Sequence, residues 1–251
     1  MKYIFNFLIH IVDFFYKKKL SNFLKKIFKK KNITIIDVGA HHGESIKFFT
    51  KNFKVNMIYS YEASKENFYI LTKKISPNKN NRISLNNFGL GENNKSLILS
   101  QVNESSSSTF CAIDENSNYF KKKKKLLKFF LKGKYVKSKL KVSIKTLSDE
   151  IYKKQIKKID LLKIDTEGFE FNVIKGAKNS LNKINYIIFE HHYDNMIKKN
   201  YKFHELHTYL IKNNFKKVFK IKMPLRKTFE YIYANNNIYD NTPNKTGSKV
   251  L

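Results

Sequence analysis

Residues 35–45 read IIDVGAHHGES, and this stretch decides the fold. Two β-branched apolar residues run into Asp37. Val38 then leads through Gly39, Ala40, His41, His42 and Gly43 to a periodic segment, SIKFFTKNF. A buried strand that ends at an acid, turns through glycine and re-emerges as an amphipathic helix is the first half of a βαβ unit. The pattern repeats downstream. ITIID, MIYSYE, RISLNNF, DLLKID and INYIIFE are short β-rich runs, and helical stretches such as SKENFYILTKKI lie between several of them. Near-continuous apolar strands alternating with helices predict a doubly wound α/β fold with a mostly parallel sheet covered on both faces.

In such a sheet, ligands bind beyond the carboxyl ends of the strands where the strand order reverses. Gly39 lets the chain turn and approach a ligand without a Cβ, and Gly43 opens the helix. A pyrophosphate would call for G-x-G-x-x-G, with backbone amides cradling it at the helix start. Here the glycines are spaced G-x-x-x-G around Ala40, His41 and His42, so the phosphate-cradling glycine is missing. Glu62 closes the second strand, 23 residues after Gly39, where a carboxylate can accept both hydroxyls of a ribose. A ribose site without a pyrophosphate site points to S-adenosylmethionine, with Asp37 facing its cationic methionine end.

The third informative stretch is IDLLKIDTEGFEFNVIKGA, residues 159–177. It brings Lys163, Asp165 and Glu167 to the end of a buried strand, and Gly168 precedes a helix whose Phe169, Val173 and Ile174 face the core. Three ionisable groups within five residues at a strand end are costly unless they bind or catalyse. Asp165, Glu167 and His191, the last in IIFEHHY, are candidate bases, and His42 is a further one. Asp165, Glu190 and His191 could also hold a divalent ion. Carboxylates at strand ends do not amount to a metal signature, and no metal is assigned.

The chain of 251 residues is 41% hydrophobic and 15% aromatic, which fits one globular domain with additions. A single cysteine, Cys111, excludes a disulfide framework and a cysteine-built zinc site, and suits a reducing, cytoplasmic setting. The net charge of +30 invites a nucleic-acid reading, but all basic residues except Arg82 and Arg226 are lysine. Arginine is the side chain that reads bases and grips phosphates in bidentate fashion. The charge therefore reads as compositional, and nucleic acid is not the expected partner. Residues 1–31 are expected to form a basic, amphipathic helical leader. Between Tyr3 and Tyr16 its polar residues Asn6, His10 and Asp13 make one narrow stripe, and Leu20, Phe23, Leu24, Ile27 and Phe28 follow among lysines. The apolar run is too short to span a bilayer. It suits either an anionic membrane surface, met through residues 1–30 at the inner face, or packing on the core or a second subunit. The lysine run at 121–125 reads as a solvated loop, Ser96–Ser100 as part of a local hairpin, and residues 236–251 as a flexible tail.

DVGAHHG, SYEAS, NNFGLGE, KTLSDEI and DLLKIDTEGFEFNVIKGA together resemble the FkbM family of S-adenosylmethionine-dependent methyltransferases, over roughly residues 33–190. The resemblance implies a class I, Rossmann-like sheet of seven strands with a reversed last hairpin, supplied by NFKKVFKIK and FEYIYANN. It makes residues 32–235 the catalytic domain, with a lysine-rich insertion near 115–140. It implies methyl transfer to a hydroxyl of a sugar, glycolipid or small metabolite. Cofactor contacts are expected at Asp37, Gly39, Ala40, His41, Gly43, Glu62 and Asn87, and acceptor chemistry at Asp165, Glu167 and His191. An RNA methyltransferase and a non-catalytic S-adenosylmethionine-binding module are the rival readings.

Overall fold

The computed structural model describes residues 16–29, 31–75, 82–103, 107–127, 135–224 and 226–239. The strands in chain order are β1 (Asn32–Val38), β2 (Lys54–Tyr61), β3 (Ile83–Asn86), β4 (Gly89–Leu90), β5 (Lys95–Val102) and β6 (Ala112–Ile113). They continue as β7 (Val136–Lys145), β8 (Ile159–Ile164), β9 (Ile184–His192), β10 (Ile197–Lys198), β11 (Phe215–Lys222) and β12 (Thr228–Asn235). A first helix, α1, occupies residues 16–27. The others are α2 (Glu44–Asn52), α3 (Lys65–Lys74), α4 (Asn118–Leu127), α5 (Leu147–Lys153), α6 (Glu170–Gly176), α7 (Phe203–Lys212) and α8 (Asn236–Tyr239).

Seven strands form the main sheet in the order β11-β12-β9-β8-β1-β2-β3. β3, β2, β1, β8 and β9 run parallel, whereas β12 is antiparallel to both β9 and β11. The expected doubly wound sheet with a reversed final hairpin is thus present, and its strand order turns back between β1 and β8. That point is where the first strand's glycine turn meets the end of β8.

Period-two alternation divides each central strand between two cores. Ile33 and Ile35 of β1, Leu161 of β8, Tyr186 and Ile188 of β9, and Ile232 of β12 share one face. Ile36, Val38, Leu162, Ile164, Ile187, Phe189 and Tyr231 share the other, beneath α5, α6 and α7. The leader belongs to the first of these cores. Leu24 and Phe28 are buried in it, Phe23 stacks on Phe219 at 4.4 Å, and Phe28 meets Tyr186 edge-on at 5.5 Å. Of the two fates expected for the amphipathic leader, residues 16–28 take the intramolecular one. The run from Tyr3 to Phe15 that suggested a membrane face lies outside the described residues. No described helix is long and apolar enough to cross a membrane.

Two local expectations are corrected. β5 pairs with β7, some forty residues on, in a second sheet of order β4-β7-β5, so Ser96–Ser100 belongs to a long-range pair and not to a local hairpin. The lysine run is helical in α4, because Phe120 anchors that helix among Val102, Tyr135, Met196 and Ile197 while most of its lysines stay in solvent. Asn236 donates to the Asn214 carbonyl at 2.9 Å, which ties down the first turn of the presumed tail. Residues 240–251 lie outside the described residues.

Candidate active site

The face covered by α1 carries apolar side chains along most of its strands and charged ones at one edge, formed by the carboxyl ends of β1, β8 and β9 and the amino end of the antiparallel β12. Asp37 lies beside Lys163 in the β1–β8 register, Lys163 beside Ile188 in β8–β9, and Glu190 opposite Glu230 in β9–β12. Lys163 Nζ stands 3.2 Å from Asp37 Oδ1 and 3.5 Å from Asp165 Oδ2. Burial pulls the lysine's pKa down, but the Asp37, Asp165 and Glu190 carboxylates outweigh it and the net movement is upward. Ser45 Oγ donates to Asp37 Oδ2 at 2.5 Å, so helix α2 is tied to the same acid.

Above this row lies a cavity of about 480 Å³, within the usual range of small-molecule sites. One half is built by the turn after β1 and the end of β2. Glu62 accepts from the His41 and Ser64 backbone amides, each at 2.8 Å. Burial still pushes its carboxyl up to about 7. Gly39 adopts φ 82°, and a Cβ there would sit 1.9 Å from the Asp165 carbonyl oxygen. This glycine therefore lets the first turn lie directly against the end of β8, and joins the two halves of the site.

Gly39, Ala40, His41 and Glu62 line the cavity, and three other expected cofactor residues only support it. Asp37 is fully buried beneath it, paired with Lys163. Gly43 packs toward α3, where a Cβ would meet Ile75 at 2.8 Å. Asn87 Nδ2 donates to the Glu62 carbonyl at 2.8 Å and so fixes the acid's backbone.

The other half is acidic. Asp165, Glu167, Glu190 and Glu230 line it, with Tyr16, Leu20 and Leu24 of α1 opposite. Glu167 sits at φ 51° in the turn between β8 and α6, next to Gly168 at φ 101°. Its Oε2 lies 3.2 Å from His192 Nε2, and His192 Nδ1 faces Thr228 Oγ1 at 3.1 Å and Asp194 Oδ2 at 3.7 Å. Burial raises Glu167 to about 7 against the lowering effect of His192. His192 shifts upward, because Asp194, Glu167 and Glu170 together outweigh its desolvation. Glu190 moves well up through burial and the nearby Asp165, Glu230 and Glu167 charges.

His191 is the expected base that the fold removes from the site. Successive strand residues point to opposite faces, so Glu190 and His192 turn toward the cavity and His191 turns away. It packs against Tyr193, Phe203 and Tyr201 at 4.7, 5.2 and 5.7 Å, and burial lowers its pKa to about 3. His192 and the acidic role of Glu190 were open to the alternation in INYIIFEHH. Glu230 and Tyr16 had no local signal. Among the described residues, His41, His42 and Glu44 bring potential metal-ligand atoms within 4.8 Å of one another. The two rings stack at 3.7 Å with 22° between their planes, so their in-plane lone pairs do not converge on one point.

The residues present fit S-adenosylmethionine. Glu62 is a buried carboxylate at the cavity wall that an added pair of hydroxyl donors would stabilise, and the turn of Gly39–His41 faces the same space. A seven-stranded sheet with a reversed final hairpin and an acid ending β2 defines a class I, Rossmann-like methyltransferase. The Methyltransferase FkbM domain profile matches residues 37–217, and the chain belongs to the FkbM methyltransferase family, whose methyl donor is S-adenosylmethionine. Comparison with curated proteins yields no match. Solved structures of similar fold include M. capricolum TrmK with S-adenosyl-homocysteine (15% identity, 85% of this chain, 67% of that chain, TM-score 0.45). The magnesium protoporphyrin IX methyltransferase of Synechocystis PCC 6803 with bound SAM is another (10% identity, 90% and 79% covered, TM-score 0.46). A third is the Methanococcus jannaschii fibrillarin pre-rRNA processing protein (11% identity, 82% and 67% covered, TM-score 0.47). Likeness at this level says nothing about the acceptor.

Proposed function

We propose that the enzyme methylates a hydroxyl group of a sugar, glycolipid or small metabolite, with Glu167 as the general base. The observation that carries this reading is the Glu167 carboxyl on the cavity wall, raised to about 7 and backed by His192 at 3.2 Å. An alcohol must lose its proton as it attacks, and a base with a pKa near the working pH is the most effective partner. His192, steadied by Thr228 and Asp194, stabilises the Glu167 anion before the transfer and can share its proton afterward. Lys163 holds Asp165 in place beside it at 3.5 Å. S-adenosylmethionine supplies an activated methyl group on a sulfonium, so the chain's own contribution is alignment, exclusion of water and removal of the proton.

Glu62 and the Gly39–His41 turn hold the donor's ribose side, and Asp165, Glu167 and Glu190 face the acceptor. Lys17 and Lys19 are exposed on α1, on the side that an anionic surface carrying a glycolipid acceptor would meet. The test is methyl-labelled S-adenosylmethionine with fractionated cell extract, followed by identification of the product. A product identified as a methyl ether of a sugar, glycolipid or small metabolite supports the proposal. Label released by mild base marks a carboxyl ester, and label on RNA marks the rival function; either refutes it.

A further inference from the structure

The acceptor half of the cavity is closed by residues outside the segment 37–217 that defines the family. They include Tyr16, Leu20 and Leu24 on α1, Met223, and Glu230 on β12. We propose that Tyr16 and Glu230 are specificity-determining residues, which make this half take an uncharged, hydroxyl-bearing acceptor and reject an anionic one. The inference rests on the reading of the enzyme as a hydroxyl methyltransferase and adds to it the charge of the acceptor and the residues that select it.

Glu190 and Glu230 are direct cross-strand partners on β9 and β12, and both line the cavity. Two carboxyls so placed repel one another unless a cation or a shared proton intervenes. Lys163, on the same sheet face, is engaged by Asp37 and Asp165 at 3.2 and 3.5 Å. Lys17, the other lysine at the cavity, is on the exposed side of α1. Neither Glu190 nor Glu230 has an ion pair among those formed by the described residues. The chamber is therefore rich in carboxyls: Lys163 is shared among Asp37, Asp165, Glu190 and Glu230, and its single charge leaves an excess of acid at the wall.

Tyr16 acts through Glu230. Its hydroxyl donates to Glu230 Oε2, and burial together with the Glu230 charge keeps the phenol protonated. That bond fixes one carboxyl oxygen and leaves the other to the cavity. Leu20, Leu24, Phe48 and Met223 complete the wall. Such apolar surroundings lower the local dielectric, so an entering anion is repelled more strongly than it would be in water. A neutral hydroxyl meets no such penalty, since it can donate to a carboxylate and accept from a protonated acid.

The test uses the full chain saturated with S-adenosylhomocysteine and two probes of one shape, octyl glucoside and octyl glucuronide, below their micellar concentrations. Ligand-observed NMR is expected to find the glucoside bound and the glucuronide weaker by about tenfold or more. Glu230→Gln keeps the shape and removes the charge, and should bring the two probes within about threefold of each other. Tyr16→Phe releases the Glu230 carboxyl and should weaken glucoside binding several-fold while S-adenosylhomocysteine affinity stays unchanged. Equal binding of both probes to the native chain, binding of neither, or undiminished discrimination in Glu230→Gln overturns the proposal. So does an equal loss of S-adenosylhomocysteine affinity in Tyr16→Phe. These outcomes concern the acceptor's charge only. A labelled product from extract that is not a methyl ether would remove the hydroxyl reading instead, whatever the probes do.

Discussion

Replacing Glu62 with glutamine should separate cofactor binding from its pH dependence. In the free protein the Glu62 carboxyl is pushed up from 4.5 to about 7 by burial, despite two backbone amides at 2.8 Å. The native state holds this proton more tightly than the unfolded chain does. The free protein is thus expected to lose roughly 3 kcal/mol of stability as pH rises from the ordinary carboxyl range through about 7. Ribose hydroxyls donate to the ionised form, so binding S-adenosylmethionine must expel the proton when it is present. For one group near 7, that makes affinity rise about tenfold between pH ~6 and pH ~8.

The Glu62→Gln variant has no such proton to lose, and its amide nitrogen meets a backbone N–H as a second donor. Loss of charge-assisted bonds worth roughly 1.5–3 kcal/mol each, with one acceptor oxygen retained, predicts a net cost of about 2–4 kcal/mol. This corresponds to about 30- to 700-fold weaker binding. Calorimetry on the full chain, in paired buffers with different ionisation heats, reads the affinity and the released proton together. Unchanged affinity in the variant would refute the ribose assignment. A tenfold pH dependence that survived the substitution would show that the titrating group is elsewhere.

Three further outcomes are expected. Glu167→Gln should cut kcat by about 10²–10⁴-fold with donor affinity unchanged, and should abolish the acid limb near 7 expected in native kcat/KM if Glu167 acts as the anion; equal losses in turnover and donor binding would move Glu167 to the cofactor side. Lys163→Met leaves Asp37 buried without its cation and should cost about 3–5 kcal/mol in denaturant titration; an unchanged stability counts against the buried pair. Leu24→Ala should destabilise by about 2–5 kcal/mol in denaturant titration, and removal of residues 1–28 by more, since Leu24 and Phe28 are buried against the sheet; a truncated chain of native stability would mean that the leader is only an appendage.

The turn after β1, the acid closing β2 and the charged run closing β8 were legible in the chain because each is local. Strand, turn and helix start lie within a dozen residues, and the side chains that matter sit at the strand's own end. The same locality explains why Glu62 and Glu167, expected at the site, line the cavity, while Asp37, Gly43 and Asn87 lie behind its wall. A sequence names the residues at a strand end but not which of them is covered by a neighbouring strand. The choice between Glu190 and His191 depended on which sheet face holds the cavity, and one residue of register exchanges them. Glu230 reaches the site only because β12 inserts antiparallel beside β9, and Tyr16 only because α1 covers the same face. An amphipathic helix carries an apolar stripe that a membrane, a second subunit or its own sheet can equally satisfy. For residues 16–28 the tertiary structure made that choice, because Leu24 and Phe28 are buried in the same cluster as Ile33, Ile35, Ile188 and Ile232 of the sheet.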